Sequence, residues 1–132
     1  MKVVLAIVML AQSGTTSAVD VVNRFNDAVN KQDAVTVAAL LADDTVFENT
    51  NPAPDGTRIE GKAAVAAFWT KWFAANAGAT FEAEETIVAG NKITVRWIYR
   101  KLRDGKPWHL RGIDVFTVRD GKIAAKLSYV KG

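Results

Sequence analysis

From Thr15 onward apolar residues recur at three- and four-residue spacing. Val19, Val22, Phe25, Ala28 and Val29 fall on one face, with Asn23, Arg24, Asn26 and Asp27 opposite. That period predicts an amphipathic helix ending near Asn30. Asp33 then reads as the N-cap of a short second helix holding Val37, Leu40 and Leu41, which Asp43-Asp44 breaks. Thr45 to Asn49 reads as a short strand, followed by a loop with Pro52, Pro54, Asp55 and Gly56 that can form one lip of a pocket. Gly61 precedes a third helix, Lys62 to about Asn76, with a broad aromatic face of Phe68, Trp69, Trp72 and Phe73.

Beyond Gly78 the period changes to two. Gly90-Asn91, Asp104-Gly105 and Asp120-Gly121 mark hairpin turns between four strands: about Thr80–Ala89, Lys92–Leu102, Pro107–Arg119 and Lys122–Val130. The predicted fold class is α+β, a curved antiparallel sheet closed by three helices of the N-terminal half around an apolar pocket. The string Arg-Asp-Gly-Lys occurs at both later turns, but the flanking strands share no further identity, so it marks reused turn chemistry and not a repeat.

The 132 residues suit one domain. Residues 19–132 are taken as that domain and residues 1–18 as an N-terminal extension or signal-like segment. Lys2, the apolar run Val3 to Ala11 and the polar stretch ending Thr16-Ser17-Ala18 have the order of a signal peptide, and the run is too short to span a membrane. A cytoplasmic protein is expected, or an exported one if that segment is cleaved. Apolar residues make up 49% of the chain and charged ones 23%, as in ordinary globular proteins. The absence of cysteine excludes disulfides and thiol chemistry, and with His109 as the single histidine no metal site is expected.

Strand alternation sorts the remaining candidates. Ile93, Val95, Trp97 and Tyr99 share one face, expected inward. On the next strand Trp108, Leu110, Gly112, Asp114, Phe116 and Val118 share another, apolar except for Asp114. A carboxylate on an apolar face loses hydration, which favours its neutral form unless a cation or several donors compensate, and a carboxyl so poised can act as a general acid. The alternative is a structural aspartate bonded to Tyr99, an indole or a helix end. Trp97 and Tyr99 are expected to line the cavity with Phe47, Trp69 and Phe116, as core first and ligand contacts second. His109 lies five residues from Asp114 and so faces the other way, unless a bulge near Gly112 turns both inward. The outer face gathers Arg96, Arg100, His109, Arg111, Arg119 and Lys126, and Glu82 and Glu84 are expected to pair with Arg96 and Arg100 across strands. Because the aromatics fall on the inner parity, nucleic-acid binding is disfavoured.

Three strings carry a resemblance. Leu41-Ala42-Asp43-Asp44-Thr45-Val46-Phe47-Glu48, Ile59-Glu60-Gly61-Lys62-Ala63-Ala64-Val65, and Arg111-Gly112-Ile113-Asp114-Val115-Phe116 with Arg119-Asp120-Gly121-Lys122-Ile123 resemble the SnoaL-like branch of the nuclear-transport-factor-two-like superfamily. The resemblance covers about Val19 to Val130. It implies a cone-like α+β barrel, a homodimer through the outer sheet face and a small apolar or carbonyl-containing ligand without cofactor. The superfamily mixes isomerases, cyclases, hydrolases and binding modules, so fold alone does not choose among them.

By position Asp114 resembles the acid/base aspartate of SnoaL-like cyclases and the oxyanion-site aspartic acid of ketosteroid isomerase. Histidine occurs in such cyclases in the general region of His109. Asn49 stands where ketosteroid isomerase has its catalytic base; an amide cannot take up a proton, so that mechanism is disfavoured, and Asn49 is left to orient a ligand or to end the strand. Val95 and Trp97 stand where limonene epoxide hydrolase has an arginine and an aspartate, which disfavours that chemistry. The expectation is a cofactor-independent acid/base enzyme using Asp114, or a non-catalytic binder, or an interaction module acting through the charged sheet.

Overall fold

The computed structural model describes residues 16–132, so the expectation for the N-terminal extension lies largely outside the described residues. Helix α1 spans Ala18–Asn30, and its N-cap Ser17 accepts the Asp20 amide at 3.2 Å. Capping satisfies one of the four amides that a helix start leaves free. Its buried face is Val21, Val22, Phe25, Ala28 and Val29. Helix α2 is Ala34–Ala39, capped by Asp33, which accepts the Thr36 amide at 3.0 Å and the Thr36 hydroxyl at 2.6 Å.

Strand β1, Leu41–Glu48, follows at once. Asp43 and Asp44 therefore do not break a helix; they are the exposed part of a strand whose pairing shifts register between Leu41 and Val46. A three-residue strand β2, Arg58–Glu60, went unpredicted and pairs antiparallel with β1. Helix α3, Lys62–Ala75, buries Val65, Trp69 and Phe73 at four-residue spacing and leaves Phe68 and Trp72 half-buried.

Strands β3 (Thr80–Ala89), β4 (Lys92–Arg103), β5 (Lys106–Arg119) and β6 (Lys122–Val130) form the expected meander. The single sheet has the order β2-β1-β6-β5-β4-β3. It is antiparallel, as expected, with one parallel pairing where β1 joins β6. The long excursion through α3 and the meander supplies the crossover that a parallel pair needs.

Register breaks at two places that bear on the site. Ala83 pairs with Trp97 but Glu85 with Arg96, leaving Glu84 as a bulge on β3. Thr117 pairs with Ala125 but Val118 with Ile123, leaving Ala124 as a bulge on β6. Each extra residue bends its strand and resets which side chains face inward.

The core lies between the helices and the concave sheet face, centred on Phe25. Its ring meets Phe47, Trp69 and Phe116 edge-on at centroid distances of 5.8, 5.7 and 5.8 Å, each contact worth about 0.5–1.5 kcal/mol beyond area burial. A second apolar cluster of Ala79, Trp97 and Tyr99 sits toward one end, with Trp72, Phe81, Trp108 and Leu110 packed on it.

Candidate active site

Asp114 faces the concave side of the sheet and is 5% exposed. It is not alone there. Ser128, its direct partner on β6, donates its hydroxyl to Asp114 Oδ1 at 2.6 Å. Lys126 Nζ donates to Ser128 Oγ at 2.9 Å and stands 3.6 Å from Asp114 Oδ1. Ammonium, hydroxyl and carboxylate thus form a continuous hydrogen-bonded chain. The Lys126 ammonium also lies 5.5 Å from the Phe47 ring centre and 5.4 Å from that of Trp69, a double cation–π contact.

Lys126 was expected on the outer face, and Ser128 carried no expectation. Strict alternation from the inward Ile123 would point Ala125 and Leu127 inward. The Ala124 bulge reverses that parity, so Lys126 and Ser128 point in. The compensating cation that a buried carboxylate requires is therefore supplied by the neighbouring strand.

The pair stands where two chambers meet. One, of about 230 Å³, lies between α1 and the sheet and is bordered by Asn23, Asn26, Ala83 and Val95. The other, of about 130 Å³, is bordered by Asn49, Phe68, Trp72, Tyr99 and Leu110. Trp69, Phe81, Trp97, Asp114 and Lys126 line both. A groove of about 580 Å³ outside the second chamber shares Asn49, Thr50 and Ser128 with it. Among the described residues, the indole nitrogens of Trp69 and Trp97 have no hydrogen-bond acceptor. Buried donors without partners are uncommon, and here they belong to two of the five side chains that border both chambers.

The other expected residues divide. Trp97 and Trp69 border both chambers and Tyr99 the second. The Tyr99 hydroxyl donates to Asn76 Oδ1 at 3.1 Å, tying the sheet to the end of α3, and burial pushes its phenol above the ordinary value. Asn49 borders the second chamber, but its Oδ1 accepts the Thr57 amide at 2.7 Å and its own amide donates to the Thr57 carbonyl at 3.1 Å. It pins the base of the loop.

Phe47 and Phe116 do not border either chamber; they are core residues behind it, 3% and 0% exposed. His109 is exposed and opposite Arg100, and β4 pairs with β5 without a break from Lys92 to Arg103, so no bulge near Gly112 turns it inward. As a catalytic candidate beside Asp114 it is corrected.

On the outer face the arginines are paired, with Glu82 meeting Arg100 as expected and Glu84 changing partner. Because of the Glu84 bulge, Arg96 meets Glu85 at 3.4 Å, while Glu84 reaches Arg111 at 2.9 Å and Arg100 stands 4.0 Å from Glu82. The Arg111 hydrogen bond holds the Glu84 carboxyl below the usual carboxylate range. Among the described residues no helix is long and apolar enough to cross a membrane.

The sequence matches the SnoaL-like domain family over residues 22–126. Among solved structures, an NTF2-like protein of unknown function from Mesorhizobium loti is 37% identical, with a TM-score of 0.76 over 87% of this chain and 91% of that one. A proposed polyketide cyclase from Sinorhizobium meliloti is 29% identical, with a TM-score of 0.69 over 83% and 94%. An epoxide hydrolase of the limonene type from Mycobacterium tuberculosis shares the fold at 24% identity, with a TM-score of 0.74 over 86% and 82%. No curated protein matches by sequence.

Proposed function

The chain belongs to the SnoaL-like family, and from that premise we propose that it takes up a small, largely apolar, carbonyl-containing molecule and acts on it as a cofactor-independent acid/base enzyme. The observation that carries this reading is the hydrogen-bonded chain Lys126–Ser128–Asp114 at the junction of two aromatic-lined chambers. A carboxylate can move a proton, and an ammonium beside it can steady a developing oxyanion. The indole donors of Trp69 and Trp97, without an acceptor among the described residues, suit a ligand oxygen. The proposed cyclase among the relatives supports a substrate of this class.

Tryptophan-fluorescence titration with steroid-like and polyketide-like ketones finds the ligand; turnover by wild type and Asp114→Asn then tests the role. Asp114→Asn nearly preserves shape while removing proton transfer, so binding kept and turnover lost is the expected pair. Full turnover by that variant removes the acid/base reading. One observation favours a non-catalytic carrier instead: Asn49 spends its oxygen on the loop and offers the cavity no base. In that case ligands bind and nothing is turned over.

A homodimer through the outer sheet face is part of the same proposal. Ile113, Val115 and Leu127 lie half-buried at its centre, with Tyr129 exposed beside them and Arg96 and Arg111 at the edge. Such a mixed face fits a self-complementary two-fold contact. Sedimentation of wild type and Leu127→Arg checks it; a wild-type monomer at micromolar concentration removes the dimer and leaves the cavity untouched.

A further inference from the structure

We propose that Lys126 is a carbonyl-reactive amine, so that the ligands of this cavity are small aldehydes or ketones with an apolar body, held as an imine on Lys126 Nζ. This rests on the reading that carbonyl compounds enter the chambers, and it goes beyond it by naming the bond they form.

Three features of the site point to the amine. Lys126 borders both chambers, with a side chain 12% exposed, in a wall lined by Trp69, Phe81 and Trp97. Its contact with Asp114 is indirect: the hydrogen bond runs through Ser128, and the 3.6 Å separation from the carboxylate is longer than a direct one. Packing does not require it either, since a buried ion pair contributes little over an apolar pair of the same volume. Lysine in apolar surroundings beside a proton acceptor is the arrangement in which amines condense with carbonyl groups.

The steps balance on groups already present. One proton passes from Lys126 through the Ser128 hydroxyl to Asp114, leaving a neutral amine and a neutral acid. The nitrogen lone pair adds to the carbonyl carbon, and the oxygen takes a proton from that nitrogen to give a carbinolamine. Asp114 returns its proton to the hydroxyl, the carbon–oxygen bond breaks, water leaves, and the nitrogen lone pair closes the iminium bond. Nothing is oxidised or reduced, and the net change is loss of one water. The ketone or aldehyde oxygen needs a donor during addition, and the Trp69 and Trp97 indoles, which border the same chambers, have no other acceptor among the described residues.

The test treats the full chain with benzaldehyde or hexanal and cyanoborohydride, which fixes an imine as a stable secondary amine, and maps adducts by peptide mass spectrometry. Lys126 is expected to be labelled faster than the exposed Lys31 and Lys71 by roughly 100-fold, the contribution of one positioned proton donor. Asp114→Asn and Ser128→Ala slow that labelling toward the surface rate, and Lys126→Arg, which keeps the cation, abolishes it at this position. Labelling of wild-type Lys126 no faster than Lys31 overturns the proposal. Tryptophan fluorescence read in parallel separates the two claims: saturable quenching without adduct removes the imine and leaves the cavity reading standing, whereas neither signal removes both.

Discussion

The Trp97 indole lies against the backbone of its strand partner Gly112. A methyl group at position 112 would come within 2.6 Å of two carbons of that ring and 2.3 Å of the Tyr129 carbonyl oxygen. Glycine is required here for space. Gly112→Ala is expected to cost about 1–3 kcal/mol through overpacking. It should also push Trp97 into the chambers it borders, so ligand affinity falls with stability. Urea denaturation followed by tryptophan emission measures both; an unchanged midpoint and spectrum would mean that the strand yields freely there.

Lys126 and Asp114 are coupled by burial, their side chains being 12% and 7% exposed. Lys126→Met leaves the carboxylate with the Ser128 hydroxyl as its one donor among the described residues. The expected loss is about 3–5 kcal/mol, because an uncompensated charge stays buried. Adding Asp114→Asn removes that charge, so the double variant should be more stable than Lys126→Met alone. A thermodynamic cycle in urea decides the matter: strictly additive losses would show that the two groups do not interact.

Asn30 stitches α1 to β3, donating Nδ2 to the Phe81 carbonyl at 2.7 Å and accepting the Phe81 amide at 2.8 Å. Asn30→Ala should cost about 1–2 kcal/mol for bonds lost at a strand edge. It should also loosen the wall of the larger chamber. Hydrogen exchange at the Phe81 amide is the readout, with faster exchange confined to the start of β3 as the expected pattern.

Acid should weaken the fold. Hydrogen bonds from Thr36 hold the Asp33 carboxyl below its ordinary value, and hydrogen-bonded arginines, Arg119 and Arg111, do the same for Asp44 and Glu84. A carboxyl whose folded pKa lies below its unfolded one contributes stability that is complete above the unfolded value of about 4 and disappears as pH falls through the folded one. The urea midpoint should therefore decline below about pH 4, more gently in Glu84→Gln, with high salt flattening the slope because these groups are exposed. Tyr99 acts in the other direction. Its folded phenol pKa is raised by burial, so its contribution is complete below about pH 10 and is lost as pH rises through the folded value.

Much of this molecule can be read along the chain. Periods of 3.6 and 2 locate α1, α3 and the four long strands, because each element must turn one apolar side to a common core. The same reasoning finds Asp114 as the polar exception on an inner face that also carries Trp97 and Tyr99. Asp33, an N-cap, and the Asp-Gly turns are local chemistry and stand where expected.

Lys126 and Ser128 are decided elsewhere. Alternation carried along β6 from Ile123 points Lys126 outward, and only the Ala124 bulge brings it to Asp114. A bulge arises from how two strands pair, and neither strand marks it locally, which is why Glu84 also finds Arg111 instead of its expected partner. The parallel pairing of β1 with β6 has the same origin, since residues far apart in sequence meet there at a sheet edge. The sequence by itself determined the three helices and the four long strands, the apolar concave face and the carboxylate on it, all consequences of side-chain period and burial. Only the tertiary structure decided which cation answers that carboxylate, because partner choice across a bulged sheet depends on register, and register is set by the packing of the whole.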